Sequence, residues 1–146
     1  MNAAWLHITL VHIPVFGTPL LLFMGVKALK SQKIPQLKAF YQGSIILAIF
    51  ASIAYFTGPS TSDWVKAVFS DYSQDMVENH ALWGRFGFTS SILSGLIGIM
   101  AISSYLQEEK PHKAIPWVLL GFQLINFLLF VYTAHLGGLI RRPDLL

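Results

Sequence analysis

The sequence predicts an all-α integral membrane protein, a four-helix up-down bundle, and its composition leads to that class. Charged residues make up 12% of the 146 residues, about half of the roughly 25% that is usual in soluble domains. Residues of the set AVILMFWYC make up 54%, so a soluble fold could not cover its core with polar surface. This balance excludes an ordinary soluble enzyme and a disordered segment. The basic residues lie at helix ends rather than in a stripe, so the net charge of +3 does not indicate nucleic-acid binding.

Four apolar stretches within one domain, residues 1–146, predict the membrane spans. They cover residues 3–26, 37–57, 81–106 and 115–139, each close to the roughly 20 helical residues that cross a bilayer. Helices satisfy their own backbone groups inside the membrane, which favours them over any open structure. The first stretch lacks a basic leading region, so we expect it to be retained rather than cleaved.

The charges outside the spans predict the orientation of the bundle. The loops that follow spans one and three hold six lysines, namely Lys27, Lys30, Lys33, Lys38, Lys110 and Lys113. The opposite side holds fewer basic residues and most of the acidic ones, namely Lys66, Arg141, Arg142, Asp63, Asp71, Asp75, Glu78 and Asp144. By the positive-inside rule, the lysine loops are cytoplasmic and both termini are extracytoplasmic.

The connection between spans two and three, residues 58–79, predicts a short amphipathic helix on the membrane surface. Apolar residues recur there at helical spacing, Ser62 stands at a capping position and Asp63 in the first turn. Such a helix serves either as an interfacial spacer or as a lid over the bundle. The apolar face consists of Trp64, Val65, Val68, Phe69 and Tyr72.

Histidines mark one end of the predicted bundle. His7 and His12 lie in the outer part of span one, His80 begins span three and His135 lies near the end of span four. Alternating spans bring these four side chains to the same level, whereas His112 stands apart in a lysine loop. An ionisable residue inside a membrane span is a functional-site hypothesis by default. The alternative is that the histidines are interfacial or hydrogen-bonding residues without a cofactor.

The spacing of the histidines favours a large cofactor over one small ion. His7 and His12 are five residues apart and point about 140° apart on a regular helix. Two directions suit a porphyrin, which takes one axial histidine on each side, and haem b is therefore the first candidate, in one or two copies. Spans one and three lie diagonally opposite in an up-down bundle, which pairs His12 with His80 and leaves His7 with His135. Copper or zinc bound by the same four histidines is the alternative.

Small residues and one arginine accompany His80 on span three. His80, Gly84, Gly87, Ser91, Gly95 and Gly98 share one helix face. Such a stripe brings helices close together, and Gly84 next to the histidine also leaves room for a flat macrocycle. Arg85 either pairs with a haem propionate or reaches the outer surface and Glu78. Gln123 and Asn126 in span four predict hydrogen bonds between helices.

Four short motifs resemble those of a widespread bacterial family of four-helix membrane domains of unknown function, some fused to c-type cytochrome modules. Residues 7–14 read HITLVHIP, where the family has HPxxVHFP, so that positions 8 and 13 depart from it. Residues 57–58 match a Thr-Gly pair, and residues 80–84 match a histidine followed closely by glycine. Residues 134–138 read AHLGG, where the family has GHLGG.

The resemblance implies a redox role in the bacterial inner membrane. Together with the histidine positions, it leads to the hypothesis of a b-type haem-binding subunit rather than a stand-alone enzyme. This subunit would transfer electrons between the quinone pool and extracytoplasmic c-type cytochromes within a larger complex. The lack of cysteine means that a haem in this chain would be held non-covalently. A structural subunit without a cofactor and a copper or zinc protein remain as alternatives.

Overall fold

The protein is a bundle of long helices. The structure is a computed structural model that describes residues 3–70 and 72–141, except the side chain of Arg141. Asp71, Arg142 and Asp144, which entered the charge comparison, lie outside the described residues. Its helices are α1 (Ala3–Leu10), α2 (His12–Ser31), α3 (Ile34–Val68), α4 (Gln74–Leu106) and α5 (Ile115–Arg141).

Four segments of these helices are long and apolar enough to cross a membrane, with α1 and α2 together forming the first. Their outer surface is apolar as well: Phe16, Phe23, Phe56 and Trp117 are 69%, 66%, 71% and 63% exposed. Large exposed aromatic residues on this scale belong in lipid rather than in water. The predicted all-α, multi-pass membrane bundle is confirmed.

The helices are arranged so that the first and third spans lie diagonally opposite each other. The first span packs against α3 and α5, and α4 packs against the same two helices. Short connections between antiparallel neighbours produce this order in a four-helix bundle. Residues on α1 and α4 can therefore meet only in the interior, between α3 and α5.

Pro14 interrupts the first span locally. Proline has no N–H to bond with the carbonyl oxygen of Leu10, and its ring crowds that oxygen. The helix accordingly breaks at Val11, and the bond from Val15 N to Val11 O is long, at 3.5 Å. Val11 itself keeps right-handed helical angles (φ −60°, ψ −24°), so the interruption is confined to one residue.

Pro19 and Pro59 lie inside helices without ending them. Pro19 cannot donate to the carbonyl of Val15, and the hydroxyl of Thr18 donates to that oxygen instead, at 3.3 Å. Pro59 follows Gly58, which has no Cβ to clash with the proline ring, so the helical conformation remains accessible at that point. Both prolines are therefore accommodated by their immediate neighbours.

The segment between spans two and three corrects the sequence prediction. Its residues up to Val68 are helical, but they continue α3 through Pro59 rather than forming a separate helix on the membrane surface. The prediction ended span two at residue 57, whereas the helix continues through Gly58 and Pro59 to Val68. α4 then begins at Gln74, earlier than predicted, with the Ser73 hydroxyl accepting from Met76 N at 3.3 Å.

Fully buried polar side chains connect the helices at the middle of the bundle. Gln123 Nε2 on α5 donates to Ser44 Oγ on α3 at 3.1 Å. Asn126 Nδ2 on α5 donates to Ser94 Oγ on α4 at 3.2 Å. The predicted hydrogen bonds between helices are confirmed, and they fix the position of α5 relative to both neighbours.

Candidate cofactor site

His7 lies in the interior of the bundle, half-buried between α1 and α3. Its Nδ1 is 2.7 Å from the carbonyl oxygen of Ala54. A carbonyl oxygen can only accept, so Nδ1 carries the proton and donates it. The hydroxyl of Thr57 is 3.4 Å from the same nitrogen, and a Cβ added to Gly58 would lie 3.7 Å from His7 Cε1. The bond to Ala54 therefore sets the tautomer and the orientation of the ring.

His80 is held in the same way from the other side of the bundle. Its Nδ1 donates to the carbonyl oxygen of Thr133 on α5 at 2.9 Å. Gly137, one turn further along α5, lies under the ring: an added Cβ would come within 3.1 Å of Cε1 and 3.3 Å of Nδ1. The Cβ of any other residue at this position would crowd the imidazole, so glycine is needed here to leave room for the ring.

The two rings meet at the diagonal of the bundle. Their centroids are 6.3 Å apart and their planes are inclined by 76°. Each ring uses Nδ1–H in a bond to a backbone carbonyl, which leaves Nε2 of the neutral imidazole with a free electron pair. Since α3 and α5 supply the carbonyls, all four spans contribute to this arrangement, which we call the histidine pair.

The histidine pair lies far from the lysine-rich loops. Ala54, which binds His7, is 20 residues beyond Ile34 at the start of α3 (34 to 54), a rise of about 30 Å. The hydrocarbon core of a bilayer is itself about 30 Å thick. The pair therefore lies near one membrane interface, at the end of the bundle where the sequence predicts the histidines.

The other two predicted ligands are turned outward. His12 is exposed and stacks on Phe16, with ring centroids 6.4 Å apart and planes inclined by 14°. His135 is exposed on α5. The ring next to His80 is that of His7, whereas the sequence pairs His80 with His12. The angle of about 140° between His7 and His12 allows only one of them to face the interior of a straight span.

Gly84 and Arg85 differ in their surroundings. An added Cβ on Gly84 would come no closer than 3.8 Å to Thr133 Cγ2, so space remains beside this residue. The Arg85 side chain is exposed, and its backbone carbonyl accepts from the Thr89 hydroxyl at 2.9 Å. His112 lies in the connection before α5, as predicted, where its Nδ1 accepts from Ala114 N at 3.2 Å.

The carbonyl oxygens of Ala54 and Thr133 are the components of the site that sequence reasoning missed. A backbone oxygen has no residue type, so no motif marks it. The sequence features nearest to them are the Thr-Gly pair at 57–58, which follows Ala54 on α3, and the histidine at position 135, which follows Thr133 on α5.

The donor set limits which cofactors suit the site. Among the described residues, no group of three or more histidine, aspartate or glutamate side chains could hold a metal ion. A structural zinc site needs four protein ligands, and a catalytic one needs three. The histidine pair alone supplies two nitrogens, as two axial ligands would.

Comparisons with known proteins add no relative. A scan against protein-family models found no match, and searches of curated proteins and of solved structures found none either. The fold and the site themselves define the class, a multi-pass four-helix membrane protein with two inward-facing histidines.

Proposed function

We propose that this chain is a b-type haem-binding membrane subunit for electron transfer, in which His7 and His80 would hold the haem iron. The observation that carries the proposal is the pair of imidazoles that approach each other across the diagonal, each anchored through Nδ1–H to a carbonyl of a third helix. Ligand histidines in metalloproteins almost always donate their second ring nitrogen to a carbonyl, carboxylate or water.

The distance between the two rings is compatible with both histidines binding one iron. With a metal–nitrogen distance of about 2 Å on each side, two imidazoles facing one ion have centroids about 6 Å apart. The separation of 6.3 Å between His7 and His80 agrees with this value. The porphyrin supplies the equatorial nitrogens itself, so two side chains suffice, and this favours haem over copper or zinc.

The residues around the histidine pair would contribute to haem binding in different ways. The carbonyls of Ala54 and Thr133 hold each ring in one tautomer and make the free nitrogen a stronger ligand. Gly137 admits the His80 ring, and Gly84 leaves space beside it. Partial burial among apolar helices, together with the histidine ligands, would set the reduction potential of the haem. When bound, haem would supply reversible one-electron chemistry.

The setting of the subunit is part of the same proposal. The lysine loops are cytoplasmic by the positive-inside rule, so the histidine pair faces the extracytoplasmic side of a bacterial inner membrane. This position suits electron exchange between the quinone pool and an extracytoplasmic c-type cytochrome. The resemblance to a family with fused cytochrome modules supports that partner and a place for the subunit within a larger complex.

An absorbance spectrum of the purified protein, produced with sufficient haem, tests the proposal. We expect the sharp α and Soret bands of a reduced haem with two histidine ligands. His7→Ala and His80→Ala should each abolish the six-coordinate spectrum, whereas the matched controls His12→Ala and His135→Ala should retain it. Added imidazole should restore the spectrum of His80→Gly, which distinguishes a lost ligand from a lost fold.

Two results would overturn the proposal. One is a folded, colourless protein under conditions that load other haem proteins. The other is an unchanged spectrum in His7→Ala and His80→Ala. Stoichiometric copper or zinc in the colourless protein would assign the histidines to metal handling instead.

A further inference from the structure

A cavity lies at the lysine-rich end of the bundle, far from the histidine pair. Its volume is about 390 Å³, and it opens beside the end of α2 and the start of α3. Two exposed apolar side chains line one part of it, and lysine, serine and glutamine side chains form its rim toward the end of α2. The lining residues are Phe23, Val26, Lys27, Lys30, Ser31 and Gln36.

A second cavity of about 140 Å³ adjoins the first on the other side of α2. Val26 and Lys30 line both cavities, and Trp117 and Leu120 of α5 form the far wall of the second. The two cavities therefore flank the last two turns of α2. Trp117 stands at the level where tryptophan commonly marks a membrane–water interface.

The positive charges of two lysines at the rim favour binding of an anion. Lys27 and Lys30 are three residues apart and lie on the same face of α2. Neither ammonium group forms an ion pair with another residue in the described part of the chain. The rim is also fixed in place, because the Ser31 hydroxyl donates to Gln36 Oε1 and accepts from the backbone N–H of Lys33 at 3.3 Å.

Along α2 the surface changes from apolar to cationic, as an amphiphile with an anionic headgroup would require. From Phe23 to Lys30 the helix rises about 10 Å, from apolar aromatic surface to cationic rim. A free inorganic anion would contact the lysines but not the apolar residues. A neutral lipid would contact the apolar residues but would not pair with the lysines. Basic pockets between helices on the cytoplasmic side of membrane proteins bind anionic headgroups.

We propose that the larger cavity, called the groove from here on, binds an anionic phospholipid. Lys27 and Lys30 hold its phosphate, and Phe23 and Val26 contact the upper part of an acyl chain. The site is independent of the proposed haem site, since it lies at the other end of the bundle and shares no residue with it. The bound lipid would lie beside the end of α2 and the start of α3.

Native mass spectrometry of the full chain in neutral detergent tests the proposal. Phosphatidylglycerol should bind at one site, and phosphatidylcholine with the same acyl chains should bind much more weakly. Each lysine near the headgroup contributes enough that its removal weakens binding about fivefold. Lys27→Gln with Lys30→Gln should therefore weaken phosphatidylglycerol binding about 25-fold.

Matched lysines elsewhere at the same end of the bundle provide the control. Lys110→Gln with Lys113→Gln removes the same charge from the loop before α5 without touching the groove. Binding should be unchanged in this variant, and an equal loss would reduce the effect to general electrostatics and overturn the site. Equal binding of the two lipids would also overturn it. Displacement of the lipid by millimolar inorganic phosphate would assign the rim to a free anion instead.

Discussion

One face of α4 carries small residues along its length, but its two halves meet different neighbours. In the middle of the bundle, a Cβ added to Gly98 would lie 2.8 Å from the Tyr41 carbonyl oxygen, and one added to Gly95 would lie 2.6 Å from Ala48 Cβ. Near the histidine pair, a Cβ on Gly84 would find its nearest neighbour at 3.8 Å. Residues of the same type on the same face thus bring backbones together in one region and leave space in the other.

The difference arises from what separates the helices at each level. In the middle, α3 and α4 are in contact along their backbones, because no side chain stands between them. At the histidine end, the imidazole rings of His7 and His80 occupy the interior and bind to backbone carbonyls. Gly84 at this level has space beside it and closes no helix contact.

The largest expected effect concerns the close contact in the middle. Gly98→Ala should destabilise the protein by about 1–3 kcal/mol, because its Cβ meets a backbone oxygen that cannot move without shifting α3. Gly84→Ala should be neutral or stabilise by up to about 1 kcal/mol, since alanine favours the helix and has room. Thermal unfolding in detergent measures both. Equal losses in the two variants would show that the halves of this face do not differ.

A smaller effect is expected where glycine makes room for the His80 ring. Gly137→Ala should displace the imidazole and weaken its bond to Thr133, with a loss of about 1 kcal/mol or less. The adjacent Gly138→Ala is the control, since an added Cβ there meets nothing within 4 Å. Nitrogen-15 NMR of labelled histidine should show a changed Nδ1–H signal in Gly137→Ala alone. The same change in Gly138→Ala would contradict the assigned contact.

The smallest effect is expected for the polar side chains in the middle. Asn126→Leu removes one donor to Ser94, whose own hydroxyl still bonds to the carbonyl of Ser91. Hydrogen bonds between membrane helices average about 0.6 kcal/mol, and Asn126 Oδ1 has no partner to lose among the described residues. Unfolding in detergent should therefore show a loss below about 1 kcal/mol. A loss of several kcal/mol would mean that a buried water bonds to this amide.

Hydropathy and spacing predict the spans well, because a bilayer imposes one length and one polarity on every helix that crosses it. The ends are harder, as α3 illustrates: the predicted span ends at residue 57, yet the helix continues through Gly58 and Pro59 to Val68. The sequence predicts four histidines at one end of the bundle, of which His7 and His80 lie next to each other. Their partners are not predictable, because the carbonyls of Ala54 and Thr133 carry no sequence signal.

The sequence by itself determined the class of protein, the number of its spans and the end of the bundle at which the histidines gather. Each of these follows from one-dimensional quantities, namely hydropathy, charge and distance along a helix. Only the tertiary structure decided that His7 and His80 face each other while His12 and His135 face outward. That choice depends on how each helix is rotated about its own axis. The rotation is set jointly by contacts such as those of Gly95 and Gly98, which involve two helices at once.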